Sequence, residues 1–326
     1  MTSITARPTL PTRSRNVRLW RFLRQNQNVA IIWSVLLVIV IISTLLSDRF
    51  ITSRNLINLT RQSAALVLAG IGQTFVLIAA GIDLSIGSTI GLIVVIMAAI
   101  MKPTPELMIL GTLAGLGIGM LVGAANGLAV TRLNLSPFMV TLAMLSFIFG
   151  LALQLKQNPP GTIPAEYSQY FTGDVAGVPI PLIIIIVSTV LASLFLRYTV
   201  LGRHIFAVGS NESATRLSGM RTDRIKVLAY TAAGFMTGLA GIYWAARSRA
   251  GDPLTSENFA FDSITAVVLG GTRLSGGAGS VWGTLAGALI IGILNNIMNL
   301  RGVPSNYQYI LKGLLLVIAV MLYRKK

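Results

Sequence analysis

The sequence predicts an all-α, polytopic membrane protein with about ten transmembrane helices. Its 326 residues are 54% hydrophobic and only 11% charged, and the mean hydropathy is +0.75. A water-soluble domain carries far more charge on its surface, whereas helices in contact with lipid need apolar residues along most of their length. Apolar runs recur along the whole chain and alternate with short polar segments. The chain is therefore expected to cross a membrane repeatedly.

The first element is an Arg-rich segment, residues 1–28, with six arginines and no acidic residue. We expect it to be a cytoplasmic tail, and the run at 29–46 to be an uncleaved first span, because no small-residue cleavage site follows it. The transmembrane domain is expected to cover 29–326. The further apolar runs are 62–80, 84–101, 107–130, 137–155, 180–196, 227–246, 262–272, 280–299 and 307–323.

Two positions along these runs predict helix breaks. The run at 262–272 is too short to cross a hydrocarbon core of about 30 Å. The Gly-rich segment 270–280 that follows it is therefore interpreted as a break covered by neighbouring spans. A second break is expected at 81–85, where Asp83 stands among glycine and serine within an apolar stretch.

Basic residues set the expected topology. With ten spans and the N-terminus inside, 17 of the 26 lysines and arginines lie on the cytoplasmic side and 8 on the outer side, while Lys312 falls in the last span. This bias predicts a multi-pass protein with both termini in the cytoplasm. Although the formal net charge is +16, the positive residues lie in short loops between spans, so we expect no nucleic-acid partner.

Two patterns concern how the spans pack. One glycine occurs every four residues in the fourth span, which predicts close approach of a neighbouring helix. A shift of 169 residues also aligns two segments, which indicates a possible inverted repeat of five plus five spans. The glycines are Gly111, Gly115, Gly119, Gly123 and Gly127, and the aligned residues are Gly123, Asn126, Arg132 and Ser136 with Gly292, Asn295, Arg301 and Ser305.

The polar segment 197–226 contains the signals of a short helix. Ser210 or Asn211 can cap it, Glu212 suits its first turn, Arg216 its last turn, and Gly219 the left-handed residue that ends it. About two turns result, and so short a helix needs a partner to be stable. From these residues alone, a solvated connecting loop and a docking site both remain open.

Catalytic chemistry is not predicted. The chain has no cysteine and one histidine, and no triad, carboxylate pair or metal-ligand cluster appears, so we expect no enzyme activity, metal or cofactor. The sequence LSGG at 274–277 has no phosphate-binding loop to accompany it, which excludes an ATPase. For Asp83 we expect a capping role at the helix break. For the asparagines within spans, interhelical hydrogen bonds and a polar solute path remain equally open.

Three blocks resemble a known family. The stretches GQTFVLIAAGIDLSIGSTIGL (72–92), LGRHIFAVGSNESATRLSG (201–219) and VVLGGTRLSGGAGSVWGTLAGALIIGILNNIMNL (267–300) are similar to the permease subunits of bacterial ABC importers for monosaccharides such as ribose, xylose, arabinose and galactose. The resemblance covers nearly everything from the first span onward. Branched-chain amino-acid permeases share a looser version of the pattern. An amino-acid or nucleoside ABC permease and a self-sufficient secondary transporter remain alternatives.

The resemblance implies partners and a docking role for segment 197–226. A second permease chain (identical or different), two cytoplasmic ABC ATPases and a periplasmic substrate-binding protein are expected, with membrane lipid around the spans. The residues expected to contact the ATPase are Asn211, Glu212, Ser213, Ala214, Thr215, Arg216, Leu217 and Ser218. The polar residues proposed for the substrate path are Gln73, Asp83, Ser85, Ser88, Asn126, Thr141, Asn295 and Asn296.

Overall fold

The structure is a computed structural model that describes residues 27–156 and 161–323. The predicted all-α class is confirmed, since the only regular strands in these ranges are the two-residue β1 (Asp174–Val175) and β2 (Val178–Pro179). The helices are α1 (Gln27–Leu46), α2 (Ser53–Ile78), α3 (Ile86–Ile100), α4 (Pro105–Arg132), α5 (Pro137–Leu155), α6 (Ala165–Thr172), α7 (Ile180–Tyr198), α8 (Val200–Ser210), α9 (Glu212–Leu217), α10 (Thr222–Ser248), α11 (Phe259–Leu269), α12 (Val281–Leu300) and α13 (Ser305–Tyr323), with a 3₁₀ turn at Pro253–Ser256.

Each of the ten predicted apolar runs lies on a helix, but the helices differ in length. Seven described helices are long and apolar enough to cross a membrane: α1, α2, α4, α5, α7, α10 and α12. Helix α3 is shorter, with 15 residues, and α11 has only 11. The chain is thus a multi-pass helical membrane protein.

Burial divides the helices into an inner and an outer set. Helices α2, α10 and α12 are mostly buried, whereas α1, α4, α5 and α7 have less than a third of their residues buried and leave many apolar side chains accessible. Such exposed apolar helices belong in lipid rather than in water. The inner helices form the core against which the segments described below are packed.

The glycine-rich face of α4 packs closely on α10, as predicted. A Cβ atom added to Gly119 would overlap the carbonyl oxygen of Gly234, and one added to Gly123 would overlap that of Tyr230. Gly127 likewise lies against the backbone of Val227. The two helices are therefore in backbone contact along a seam that requires glycine on the α4 side.

Both predicted helix breaks are present. Helix α2 ends at Ile78 and α3 begins at Ile86, and Ala80 between them has a positive φ of 59°. Helix α11 ends at Leu269, and the segment 270–280 follows without helix. The Gly277 backbone N–H donates to the Ile78 carbonyl at 2.9 Å. The two breaks are therefore joined directly to each other.

Buried polar pairs hold the inner helices together. Asn55 of α2 and Asn296 of α12 exchange two amide hydrogen bonds, of 3.0 and 2.9 Å. Lys312 of α13 forms an ion pair of 2.8 Å with Asp262 of α11, and both side chains are largely buried. Each pair gives hydrogen-bond or ionic partners to polar groups whose burial among apolar side chains would otherwise cost free energy.

Some sequence predictions need correction or lie outside the described residues. Helix α2 begins at Ser53, nine residues before the predicted run, because arginines and asparagines in its first turns lower the local hydropathy. Helix α8 occupies part of the segment read as a polar connection. The predicted basic tail lies outside the described residues, apart from its last two, which belong to α1.

Candidate functional site

Helix α9 is the short helix predicted within segment 197–226. Asn211 is its N-cap, and the Asn211 Oδ1 atom accepts a hydrogen bond of 2.9 Å from the Ala214 N–H. Glu212 lies in the first turn and Arg216 in the last, and Gly219 follows with a φ of 82°. The cap, the charges and the terminating glycine all occupy the positions that the sequence indicates.

Side-chain contacts fix α9 against α8 and α10. Thr215 is buried, and its hydroxyl donates to the Ala207 carbonyl of α8 at 2.9 Å. Arg216 donates to Asp223 at 2.8 Å, and Lys226 pairs with Glu212. Although surface ion pairs contribute little individually, these two connect α9 to the first two turns of α10. A helix of six residues is thus held in a defined orientation.

The opposite face of α9 is exposed. Ser213, Ala214 and Ser218 are exposed and small, and Leu217 is 90% exposed. An isolated exposed leucine is ordinary, but this one stands on a rigid, capped helix with small residues beside it. Such a face offers an apolar anchor with room around it for a second protein.

Behind α9, helix α8 is in backbone contact with both helix breaks. A Cβ atom at Gly209 would overlap the Ile78 carbonyl and approach the Gly277 nitrogen at 2.7 Å. The Ser210 hydroxyl donates to Phe206 at 2.8 Å and reaches the Gly277 carbonyl at 3.5 Å. Sequence analysis missed the role of Gly209, since no local pattern indicates that three distant backbones meet there.

Asp83 organises a polar cluster at the break between α2 and α3. One oxygen of its carboxylate accepts from the Ser85 N–H at 2.8 Å and from the Ser85 hydroxyl at 2.6 Å. The Asn126 side-chain amide donates to the Ser85 hydroxyl at 2.9 Å and approaches Asp83 at 3.5 Å. The bond from the Ser85 N–H forms an Asx turn in the break before α3, whose N-cap is Ser85, so Asp83 stabilises the break and does not cap the helix as expected.

Two further predicted residues join this cluster. The Ser88 hydroxyl donates to the Ser85 carbonyl at 2.9 Å, and the Thr141 hydroxyl donates to the Ile82 carbonyl at 3.2 Å. The structure therefore brings together Asp83, Ser85, Ser88, Asn126 and Thr141. All five are buried, so the cluster is closed to solvent in this conformation.

The other predicted path residues are placed differently. Asn296 bonds with Asn55, which is the interhelical arrangement that the sequence left open. Asn295 is only half-buried. Gln73 is fully buried, and neither its amide nitrogen nor its amide oxygen has a partner in the described part of the chain. Within the same part, no group of three or more acidic, cysteine or histidine side chains could hold a metal ion.

The described chain is a bundle of apolar helices, seven of them long enough to cross a membrane, with a short capped helix beside two helix breaks and a cluster of buried polar residues. Residues 55–320 match the family described as the permease component of branched-chain amino acid transport systems, and the chain belongs to this family.

Similar proteins are sugar permeases. The ribose import permease protein RbsC of Bacillus subtilis (strain 168) is 39% identical over 294 residues, which cover 89% of this chain and 91% of the relative. RbsC of Escherichia coli (strain K12) is 38% identical, with 89% and 92% covered. The L-arabinose ABC transporter permease protein AraH of Azospirillum brasilense is 32% identical, with 95% and 90% covered. No solved structure matches. The resemblance to permease subunits of monosaccharide ABC importers is confirmed.

Proposed function

We propose that this chain is the membrane-spanning subunit of an ATP-driven importer that carries a monosaccharide across the inner membrane. It pairs with a second permease chain, receives the sugar from a periplasmic binding protein and is driven by two cytoplasmic ATPases. ATP hydrolysis belongs to those separate subunits, since this chain has no phosphate-binding loop. The observation that carries the proposal is the outward face of α9, with Leu217 90% exposed on a helix fixed from behind.

The substrate class follows from the relatives and from the chemistry of the buried residues. The names of the similar proteins specify ribose, allose and arabinose, which favours a neutral sugar over an amino acid. A sugar needs hydrogen-bond donors and acceptors without fixed counter-charges, and most of the candidate polar residues are neutral. Gln73, with both amide atoms unpaired, and the cluster around Asn126 are the groups we assign to the path.

Coupling would proceed through backbone contacts. A displacement of α9 by the ATPase moves α8, to which Thr215 is bonded. Helix α8 in turn contacts Ile78 and Gly277 at the two breaks through Gly209. The first break leads directly to Asp83, whose hydrogen bonds fix the start of α3. Because packed interfaces move between discrete arrangements, a small shift at α9 can reopen the closed cluster.

We further propose ten spans, cytoplasmic termini and an inverted repeat. Helices α2 and α10 begin at Ser53 and Thr222, which are 169 positions apart, the offset found in the sequence. The same offset relates Asp83 to Asp252, and each carboxylate accepts the N–H of the second residue after it, at 2.8 and 3.1 Å. In this arrangement α3, α11 and α13 complete the ten spans, and 1–28 is a cytoplasmic tail.

The test places a charge in the proposed ATPase contact. Ala214→Asp should leave the permease inserted and folded, because Ala214 is exposed and no span changes. It should reduce both the ATPase recovered with the purified permease and the sugar-stimulated ATP hydrolysis, because an unpaired charge enters a packed contact. Ala214→Ser is the matched control and should behave as wild type. Wild-type ATPase recovery and stimulated hydrolysis in Ala214→Asp would refute this contact.

A further inference from the structure

A pocket of about 540 Å³ lies where the end of α4 meets the beginning of α10. Its polar rim carries four arginines, Arg132, Arg216, Arg221 and Arg224. Its wall also contains apolar side chains from both helices, among them the exposed Leu228. Positive groups and apolar side chains thus line the same pocket, at the C-terminal end of α4 and the N-terminal end of α10.

The positive charge of this pocket is mostly uncompensated. Arg216 pairs with Asp223, the acidic residue of the lining, at 2.8 Å. Within the described ranges, no ion pair involves Arg132, Arg221 or Arg224, and all three side chains are exposed. Three free guanidinium groups around one pocket suit an anion with several oxygen acceptors, above all a phosphate.

An apolar groove adjoins the pocket at Leu228. Leu228 lines the pocket and also a second cavity of about 420 Å³, formed by α2, α4, α7, α8 and α10. That groove is lined by side chains such as Leu191, Phe195 and Phe235. A ligand that fills both spaces must have an anionic head and a long apolar tail. An ATPase or a soluble anion would use the pocket and leave the groove empty.

We propose that an anionic phospholipid binds here, with its phosphate among Arg132, Arg221 and Arg224 and one acyl chain along the groove past Leu228. Basic pockets between spans on the cytoplasmic side attract anionic headgroups, and the charge bias of the chain places this end of α4 and α10 there. Because the pocket includes Arg216 of α9, the bound lipid lies directly beside the docking helix. The lipid composition of the membrane would then influence coupling.

The test measures lipid binding to the purified full-length chain by native mass spectrometry. Phosphatidylglycerol should remain bound, whereas phosphatidylcholine should not. The double variant Arg221→Gln/Arg224→Gln should bind phosphatidylglycerol with roughly 25-fold lower affinity, about fivefold for each arginine. The matched control is Arg197→Gln/Arg203→Gln, which removes two exposed arginines of the same segment outside the pocket and should bind as wild type.

Several outcomes would overturn the proposal. Equal retention of phosphatidylcholine, or unchanged binding in the Arg221/Arg224 variant, would show that the arginines select no headgroup. Displacement of the lipid by equimolar inorganic phosphate would indicate a site for a free anion. Leu228→Cys provides an independent test, since the chain has no other cysteine. Under oxidation in native membranes it should remain monomeric, and a disulfide-linked dimer would show that a second copy covers this face.

Discussion

Truncation of Leu217 tests the docking face without disturbing the fold. The side chain is 90% exposed, so Leu217→Ala removes almost no internal contact and should leave the melting temperature unchanged. If the ATPase buries this side chain, the wild-type leucine contributes about 1.5–3 kcal/mol to docking, of which alanine retains a minor part. A loss of about 1–2 kcal/mol corresponds to a roughly 5–30-fold higher Kd for the ATPase.

The measurement is a titration of purified ATPase onto the permease in lipid nanodiscs, with Kd determined for each variant. Leu45→Ala is the control, because Leu45 is 82% exposed and the proposed topology places it on the other side of the membrane. Its Kd should match wild type. An unchanged Kd in Leu217→Ala would mean that the ATPase does not bury this residue. An equal loss in Leu45→Ala would mean that the effect is not specific to α9.

Two further predictions concern stability, measured as thermal unfolding of the purified permease in detergent. Asp262→Asn leaves the charged Lys312 without its partner in a largely buried site, which should lower the free energy of unfolding by about 3–5 kcal/mol. The double variant Asp262→Leu/Lys312→Leu should recover most of the lost stability. An Asp262→Asn variant as stable as wild type would contradict the argument. Gly123→Ala forces a Cβ into the Tyr230 carbonyl and should cost about 1–3 kcal/mol, whereas Gly117→Ala, with open space around it, should cost almost nothing.

Features governed by local chemistry were predictable from the sequence. Asn211 and Gly219 mark the two ends of α9 because capping and left-handed backbone depend on the residue itself. The glycine spacing around Gly119 and Gly123 predicted a close helix contact because the helical repeat places those residues near one face. The apolar runs located ten helices, because a helix that crosses the bilayer needs about twenty mostly apolar residues in sequence.

Features that join distant residues were not predictable. The pairs Lys312 with Asp262 and Asn296 with Asn55 connect positions 50 and 241 residues apart, and nothing local specifies either partner. Val208 is buried although it lies in a segment whose composition reads as a solvated connection. Its burial arises because α8 packs onto the core, which is a property of the fold. The residues of the substrate path were not predictable either, since a polar side chain in a span can serve either helix packing or transport.

The glycine seam between α4 and α10 also has a consequence for how the permease can move. Where helices interlock through large side chains, sliding one past the other requires many rotamers to change together. At Gly119, Gly123 and Gly234 the contact is made by backbone atoms, which present a comparatively smooth surface. Shear between packed helices is an established mode of conformational change. Sliding along this seam would require few rotamer changes, and larger residues there would hinder the motion as well as destabilise the fold.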